Sequence, residues 1–341
     1  MQYTTLGNTG LLVSRICLGT MTFGGTGSWQ SIGTLDQTAA DTLVEQSIAA
    51  GVNFIDTADV YSEGLAETML GQSLINLNVP RQSVVVATKA FGRVGPGRND
   101  IGSSRGHLLD AIDASLRRLK TDYIDLYQIH GWDTITPIEE TLRALEDIVR
   151  SGKVRYIGCS NWHAWRLMQA IGVAAQRQYS PLVTLQAYYS LVARDMDREL
   201  VPLLQDQKVG LLVWSPLAGG MLSGKFTREN QTPENARRSN WDFPPTNRER
   251  LWNVLDVLRP IAEGHNVSCA RVALAWLLAK PFVTSVIIGA KRPDQLQDNL
   301  AASDLVLSAE EVSKLDEVSK LPDEYPTWMV QRQGMTRWGV Q

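Results

Sequence analysis

Eight short apolar runs alternate with segments of helical periodicity along almost the whole chain, and this alternation limits the fold more than any other feature. The runs lie at 16–18, 52–55, 84–88, 124–129, 154–158, 182–186, 210–214 and 285–288. Most lack the apolar–polar alternation of a half-exposed strand, so they read as strands covered on both faces. Leu108, Leu109, Ile112, Leu116 and Leu119 recur at helical spacing between the third and fourth runs; Ile138, Leu142, Leu145, Ile148 and Val149 do so between the fourth and fifth. Helix starts are expected at Thr136, ahead of Pro137 with Glu139 and Glu140 in the first turn, and at Asn161, ahead of Trp162.

Strand–helix units repeated in this way build a parallel sheet, and eight of them close into a (β/α)8 TIM barrel. The alternative is an open doubly wound sheet, which needs a glycine-rich dinucleotide turn after its first strand. Gly24-Gly25-Thr26-Gly27 has the wrong spacing for that turn and no helix start behind it. Residues 1–15, with Gly7-Asn8-Thr9-Gly10 as the turn, predict an N-terminal β-hairpin. Two stretches depart from the repeat. A long loop after the seventh strand, 215 to about 247, is rich in Gly, Pro, Asn and Arg; loops of this length are functional lids or disordered. A C-terminal tail from about 305 carries Trp328 and Trp338 and is expected to pack on the barrel rim. The 341 residues, 1–341, read as a single domain, a size such barrels reach.

A formal net charge of -3 and the lack of a basic run argue against a nucleic-acid partner. The first residues lack the basic-then-apolar order of a signal peptide, and no uncharged apolar run approaches ~20 residues, so no membrane span is expected. Cys17, Cys159 and Cys269 have no paired spacing and read as small buried residues of a reducing compartment, which predicts a cytoplasmic protein. No His/Cys/Asp cluster suggests a metal site, and no heptad argues for an oligomer.

In a parallel barrel, polar residues at the C-terminal ends of the strands converge on the catalytic mouth. Asp56 and Tyr61 follow the second strand, Lys89 the third and His130 the fourth. Each alone has an ordinary reading: a capping aspartate, a half-buried tyrosine, a surface lysine, a core histidine. Their joint placement at one end of successive strands points to a site.

With Asp56-Thr57-Ala58 leading to Tyr61, and Lys89 and His130 on the next strands, the chain resembles the aldo-keto reductases, whose catalytic tetrad these positions match. The likeness covers almost the whole chain. It continues through Ile157-Gly158-Cys159-Ser160-Asn161, Gln186, Trp214-Ser215-Pro216-Leu217, and Gly289-Ala290 with Gln295 and Asn299. Within the family the chain is similar to the branch of bacterial general-stress reductases and potassium-channel β subunits. The resemblance implies NADPH-dependent reduction of a small aldehyde or ketone to the alcohol, with NADH as the other coenzyme. It makes Tyr61 the general acid, Lys89 and Asp56 its tuners, and His130 the donor that orients the substrate oxygen. A free tyrosine titrates near ~10. A neighbouring ammonium favours the tyrosinate and is expected to lower that value.

The resemblance also implies a dinucleotide lying across the barrel mouth. Ser160, Asn161 and Gln186 would hold the carboxamide, and Trp214 would stack on the nicotinamide, with Thr20, Met21 and Asp56 at that end. Ser215, Pro216, Leu217, Gly219 and Lys225 would fold over the pyrophosphate. Gly219 with Gly224-Lys225 mimics a P-loop, but Phe226 stands where that motif needs Ser or Thr. Much of the family grips the 2′-phosphate with a Lys-Ser pair and an Arg; here Gly289, Ala290 and Gln295 occupy those positions. Lys291 and Arg292, where the last barrel helix begins, form a substitute phosphate site, with Asp298 and Asn299 reaching the adenine. Trp29, Trp132 and Trp328 are candidates for an aromatic or hydrophobic substrate wall. Two other functions compete. A cofactor-binding regulatory subunit is disfavoured because channel β subunits carry Asn where this chain has His130. A Schiff-base lyase through Lys89 needs a neutral amine, and Asp56 would oppose that.

Overall fold

The computed structural model describes residues 1–233, 238 and 241–338, the Trp338 side chain lying outside the described part. Strands β1 (Tyr3–Thr5) and β2 (Leu12–Ser14) pair antiparallel as the expected hairpin. Eight parallel strands follow: β3 (Ile16–Gly19), β4 (Phe54–Asp56), β5 (Val85–Ala90), β6 (Ile124–Ile129), β7 (Val154–Ser160), β8 (Leu182–Tyr188), β9 (Gly210–Trp214) and β10 (Val283–Ile288). They close a barrel in chain order, with β10 pairing back onto β3. Helices α1 (Gln37–Ala49), α2 (Leu65–Asn76), α3 (Arg105–Leu119), α4 (Ile138–Arg150), α5 (Ala164–Arg177) and α6 (Leu200–Gln207) each return the chain to the next strand. Two helices, α7 (Arg248–Gly264) and α8 (Cys269–Leu278), lie between β9 and β10. After β10 come α9 (Pro293–Leu300), α10 (Ala309–Ser319), which packs on α7, and α11 (Thr327–Trp338).

Side chains on a strand alternate between faces, and this divides the core in two. Ile55, Val86, Tyr127, Ile129, Leu211 and Val213 pack with the outer helices. Phe54, Val85, Ala87, Leu126 and Leu212 fill the barrel, joined by Leu6 and Val13 of the hairpin, which closes its lower end. Gly7 permits that closure: at φ +57, a Cβ there would meet the Val183 carbonyl oxygen at 2.2 Å. Burying one such apolar side chain contributes about 1.5–3 kcal/mol, so these layers secure the barrel beneath whatever lies above. Two residues on from Phe54, Ala87 and Leu126 stand Asp56, Lys89 and Gln128. The strand period therefore carries three polar side chains into the barrel, one layer above its apolar filling.

Several boundaries differ from expectation. Strand β5 continues through Lys89 to Ala90, because the lysine is paired inside the barrel and does not end the strand. Pro137, not Thr136, occupies the N-cap of α4; the Thr136 hydroxyl donates instead to Asp133, 2.7 Å. Helix α5 is capped by His163, since Asn161 adopts a left-handed φ of 60 and turns its side chain to the mouth. Cys17 and Cys159 are buried, whereas Cys269 is half-buried. The tail after α10 lies beside the turn at 195–197, tied by an Arg198–Glu324 ion pair of 2.8 Å. Among the described residues no helix is long and apolar enough to cross a membrane.

Candidate active site

A cavity of about 1170 Å³ opens at the C-terminal ends of the barrel strands. Asp56, Tyr61 and His130 line it. Lys89 lies below the wall and is 0 % exposed. Its ammonium donates to Asp56 Oδ1 at 2.5 Å, to the Thr57 carbonyl at 2.7 Å and to the Tyr61 hydroxyl at 3.5 Å. The other Asp56 oxygen accepts from Gln186 Nε2 at 2.9 Å and from Gln128 Nε2 at 3.4 Å. Burial pulls the Lys89 amine down, but Asp56 and Tyr61 outweigh it and hold the proton on more firmly than usual. A neutral amine for Schiff-base chemistry is thus disfavoured here.

Tyr61 opens a single 3₁₀ turn, Tyr61–Gly64, in which Ser62 (φ 48), Glu63 (φ 56) and Gly64 (φ 89) are all left-handed. Two consecutive non-glycine residues in that region cost energy and persist only where the surroundings hold them. Here the Ser62 hydroxyl donates to the Phe23 carbonyl (2.8 Å), and the Thr26 hydroxyl donates to the Ser62 carbonyl (2.6 Å). The same loop from β3 sets Trp29 edge-on against Tyr61, ring centres 5.3 Å apart, and His130 stands 5.7 Å away on another side.

The expected lowering of Tyr61 is corrected by the structure. Burial raises the phenol above its ordinary value; Lys89 opposes this, and the Asp56 carboxylate adds to it. The proton therefore stays on Tyr61 at neutral pH. His130 moves the other way: burial, with Lys89 nearby, lowers its imidazole to about 3. A neutral ring offers one N–H donor and one acceptor to the cavity.

The residues expected to hold a carboxamide meet at one end of the cavity. Ser160 closes β7, and its hydroxyl is buried without a hydrogen-bond partner. Such a group in a wall is rare unless something is to be bound there, and it fits an amide. Gln186 lines the cavity beside Asp56. Asn161 lines the cavity too; its amide donates to the His130 carbonyl (3.2 Å), and its oxygen accepts from Trp214 Nε1 (2.9 Å). It fixes the indole relative to His130. Trp214 is near-parallel to Tyr188 (5.0 Å, 25°) and to Phe243 (5.8 Å, 7°). Thr20 and Met21, just past β3, line the same end.

Ser215, Pro216, Leu217, Gly219 and Lys225 line the cavity further along, together with Gly289, Lys291, Arg292, Gln295, Asp298 and Asn299. Arg292 is the N-cap of α9, and Pro293 supplies its first turn. The guanidinium already donates twice to Asp294, at 2.9 and 2.7 Å. The Lys291 amine reaches the Ser31 carbonyl at 3.5 Å, and its backbone N–H is held by Gln295 at 3.1 Å. Asp298 is bound by Arg271 and Ser268, so its carboxylate is engaged within the protein. Phe226 is buried, and Gly219 and Gly224 both have positive φ within a 3₁₀ segment and its cap. This is not a P-loop ahead of a helix.

Of the three candidate tryptophans, Trp29 alone lines the cavity. Trp132 packs edge-on against Trp162 at 4.9 Å, under the Arg166 guanidinium. Trp328 is 43 % exposed beside Tyr325, and no described residue of the tail reaches the mouth. Among the wall or support residues that went unread in the sequence are Gln128, Trp241 and Phe243. Gln128 is one strand period beyond Leu126, and that count would have found it. Trp241 and Phe243 are large apolar residues inside a polar loop, which was the available signal. Among the described residues no cluster of His, Cys, Asp and Glu is arranged to hold a metal ion.

Residues 15–320 match the model of the Aldo/keto reductase family. The chain is 38% identical over 326 residues to an uncharacterized oxidoreductase, YrpG, of Bacillus subtilis, covering 93% of this chain and 96% of that one. It is 37% identical to a probable voltage-gated potassium channel subunit beta of Arabidopsis thaliana, covering 95% and 100%. It is 34% identical to an NADH-specific methylglyoxal reductase of Escherichia coli, covering 94% and 99%.

Proposed function

The chain belongs to the aldo/keto reductase family and is an NAD(P)H-dependent oxidoreductase, and from that premise we propose that it reduces a small aldehyde or ketone to the alcohol, with NADPH preferred and Tyr61 as proton donor. The observation that carries the reading is the buried Lys89 ammonium, shared between Asp56 and the Tyr61 hydroxyl beneath a cavity into which His130 also faces. The chemistry a bound reduced dinucleotide would supply is a hydride, two electrons with one proton, for the carbonyl carbon, the dinucleotide being oxidised in turn. The C=O π bond opens onto oxygen, and Tyr61 gives that oxygen its proton. Lys89 stabilises the phenolate left behind, until solvent returns the proton. His130, neutral, donates a hydrogen bond that aims the carbonyl oxygen at Tyr61. Positioned acids and donors of this kind each contribute on the order of 10²–10⁴ in rate.

Ser160 and Gln186 are the groups suited to the carboxamide, and Trp214 would stack on the nicotinamide beside them once Phe243, near-parallel to it at 5.8 Å, gives way. Lys225, Lys291 and Arg292 support the preference for a 2′-phosphate, because all three line the cavity and the last two stand at a helix N-terminus. Arg292 would have to exchange Asp294 for the phosphate. The NADH-specific name of the Escherichia coli relative makes NADH the competing coenzyme.

The test is Tyr61→Phe. Quenching of tryptophan fluorescence by NADPH should persist, while NADPH oxidation with a panel of small aldehydes falls by at least ~10². Retained turnover would remove Tyr61 from the role. The channel-subunit names among the relatives favour a second reading, a coenzyme-binding regulatory protein. NADPH binding by the unaltered chain without turnover of any carbonyl would support it.

A further inference from the structure

We propose that Glu67 is a positioning residue for the site: with Thr88 and Arg118 it ties the Tyr61 turn to the strand that carries Lys89, and so sets how far the Tyr61 hydroxyl stands from the ammonium. This rests on the reading of Tyr61 as proton donor. Glu67 lies in the first turn of α2, just after the Tyr61–Gly64 turn, and is 0 % exposed. A carboxylate at that depth needs partners for both oxygens. Oε1 accepts from the Thr88 hydroxyl at 2.5 Å, and Oε2 accepts from Arg118 Nε at 2.7 Å.

Each partner reaches a different part of the machinery. Thr88 precedes Lys89 on β5, and neighbouring side chains of a strand point to opposite faces. Lys89 enters the barrel, so the Thr88 hydroxyl turns outward to α2. Arg118 comes from the last turn of α3 and lies against Gly64, where a Cβ would meet its Cδ at 2.8 Å and its Nε at 2.9 Å. Glycine gives the guanidinium that room, and its φ of 89 closes the left-handed run that follows Tyr61. One turn further along α2, a Cβ at Gly71 would meet the Leu119 carbonyl oxygen at 2.6 Å, so the helix is seated closely on the end of α3.

The segment that bears Tyr61 is thereby fixed to β5 at both ends. At its start the Thr57 N–H donates to the Ala87 carbonyl (2.9 Å) and the Asp59 N–H to the Lys89 carbonyl (3.1 Å). At its far end Glu67 holds Thr88. Between them stands a left-handed turn, a conformation that keeps its place only where the surroundings over-determine it. The setting is sensitive: 3.5 Å between the Lys89 ammonium and the Tyr61 hydroxyl is already at the limit of a hydrogen bond, and a small shift of the turn removes it. The buried charges agree. Asp59 is 2 % exposed with no side-chain partner for either oxygen, and burial with Glu67 nearby holds its carboxyl well above the usual carboxylate range. That favours a protonated Asp59 and leaves Arg118 to Glu67.

The experiment measures kcat for benzaldehyde and propanal with NADPH in the full chain, in Glu67→Gln, Thr88→Val, Arg118→Met and Arg118→Lys, and in Glu67→Gln combined with Tyr61→Phe. Rates are counted per NADPH site titrated by tryptophan quenching, so unfolded chain does not enter them. In Glu67→Gln, kcat should fall about 10- to 100-fold, the scale of a misplacement near 1 Å, with KM for NADPH unchanged. Thr88→Val should shift kcat the same way, and it decides the matter where Glu67→Gln fails to bind NADPH. Arg118→Lys should regain most of what Arg118→Met loses. A residue that acts through Tyr61 has nothing left to act on once the hydroxyl is gone, so Glu67→Gln should cost little further in the Tyr61→Phe background. A parent-like kcat in Glu67→Gln and Thr88→Val, or an equal loss with and without the Tyr61 hydroxyl, would overturn the role of Glu67 and leave the reductase standing. Failure of the unaltered chain to reduce either aldehyde would overturn the reductase reading and this role with it.

Discussion

Replacing Lys89 by methionine tests the centre of the site. The ammonium sits 2.5 Å from Asp56 Oδ1, with the lysine side chain 0% and the aspartate side chain 3% exposed. Removing one partner of a buried pair leaves the other charge uncompensated and costs about 3–5 kcal/mol. Unfolding entropy is ~2.1 cal/mol/K per residue, or ~0.7 kcal/mol/K for a chain of 341 residues, so Tm should drop by about 4–7 °C. Asp56→Asn should cost a similar amount, because it leaves the buried ammonium with neutral acceptors and no counter-charge. The double variant removes both charges and should regain much of the loss. The assay is urea and thermal unfolding of all four proteins, combined in a double-mutant cycle. A coupling of at least ~2 kcal/mol is expected for residues in direct contact within one network. All three variants should lose turnover by ~10² or more, since Tyr61 loses the group that stabilises its phenolate. Strictly additive stability losses, or single variants as stable as the parent, would refute the claim that this pair holds the site together.

Two further outcomes follow from the same geometry. His130 titrates at about 3 in the folded chain against an ordinary 6.5. Above pH 6.5 both states are neutral and the folded chain keeps its full stability; between 6.5 and 3 only the unfolded chain takes up the proton, so stability falls with pH. His130→Gln should flatten that slope in Tm measured from pH 7 to 4, and an equal slope would show that the folded chain does not hold the His130 ring neutral. Lys291→Ala with Arg292→Ala should raise KM for NADPH by about 10- to 100-fold while changing that for NADH little: a hydrogen bond to a charged group contributes ~1.5–3 kcal/mol, and Arg292 offsets its own by giving up Asp294. An unaltered preference would move the 2′-phosphate to Lys225.

The barrel was legible because its strands are buried on both faces, which writes each as an uninterrupted apolar run that needs no partner to identify it. Boundaries were less so. A lysine appears to end a strand only while its partner is unknown; Asp56, 33 positions away, lets β5 continue through Lys89. The capping sites failed for a related reason. Thr136 and Asn161 have the right side chains for N-caps, but Asp133 claims the first, and the second bonds His130 and Trp214 across the mouth. In both cases a partner from another element won against a local propensity.

The site shows the same limit in its chemistry. Which residues gather could be read from strand ends, since the barrel brings those ends together whatever the helices do. Which way Tyr61 titrates could not. The sequence places a lysine near a tyrosine, and that pair alone predicts a lowered phenol. The opposite direction arises from desolvation, produced by Trp29, His130 and the pinned left-handed turn at 62–64, together with a carboxylate on the far side of the ammonium. Desolvation is a property of everything around a group, whereas a charge pair involves two residues, so motif matching sees the second and misses the first. For the proposed reduction the direction matters: a phenol that keeps its proton at neutral pH is already in the form such a step would consume, and Lys89 would act by stabilising the phenolate after the proton had left.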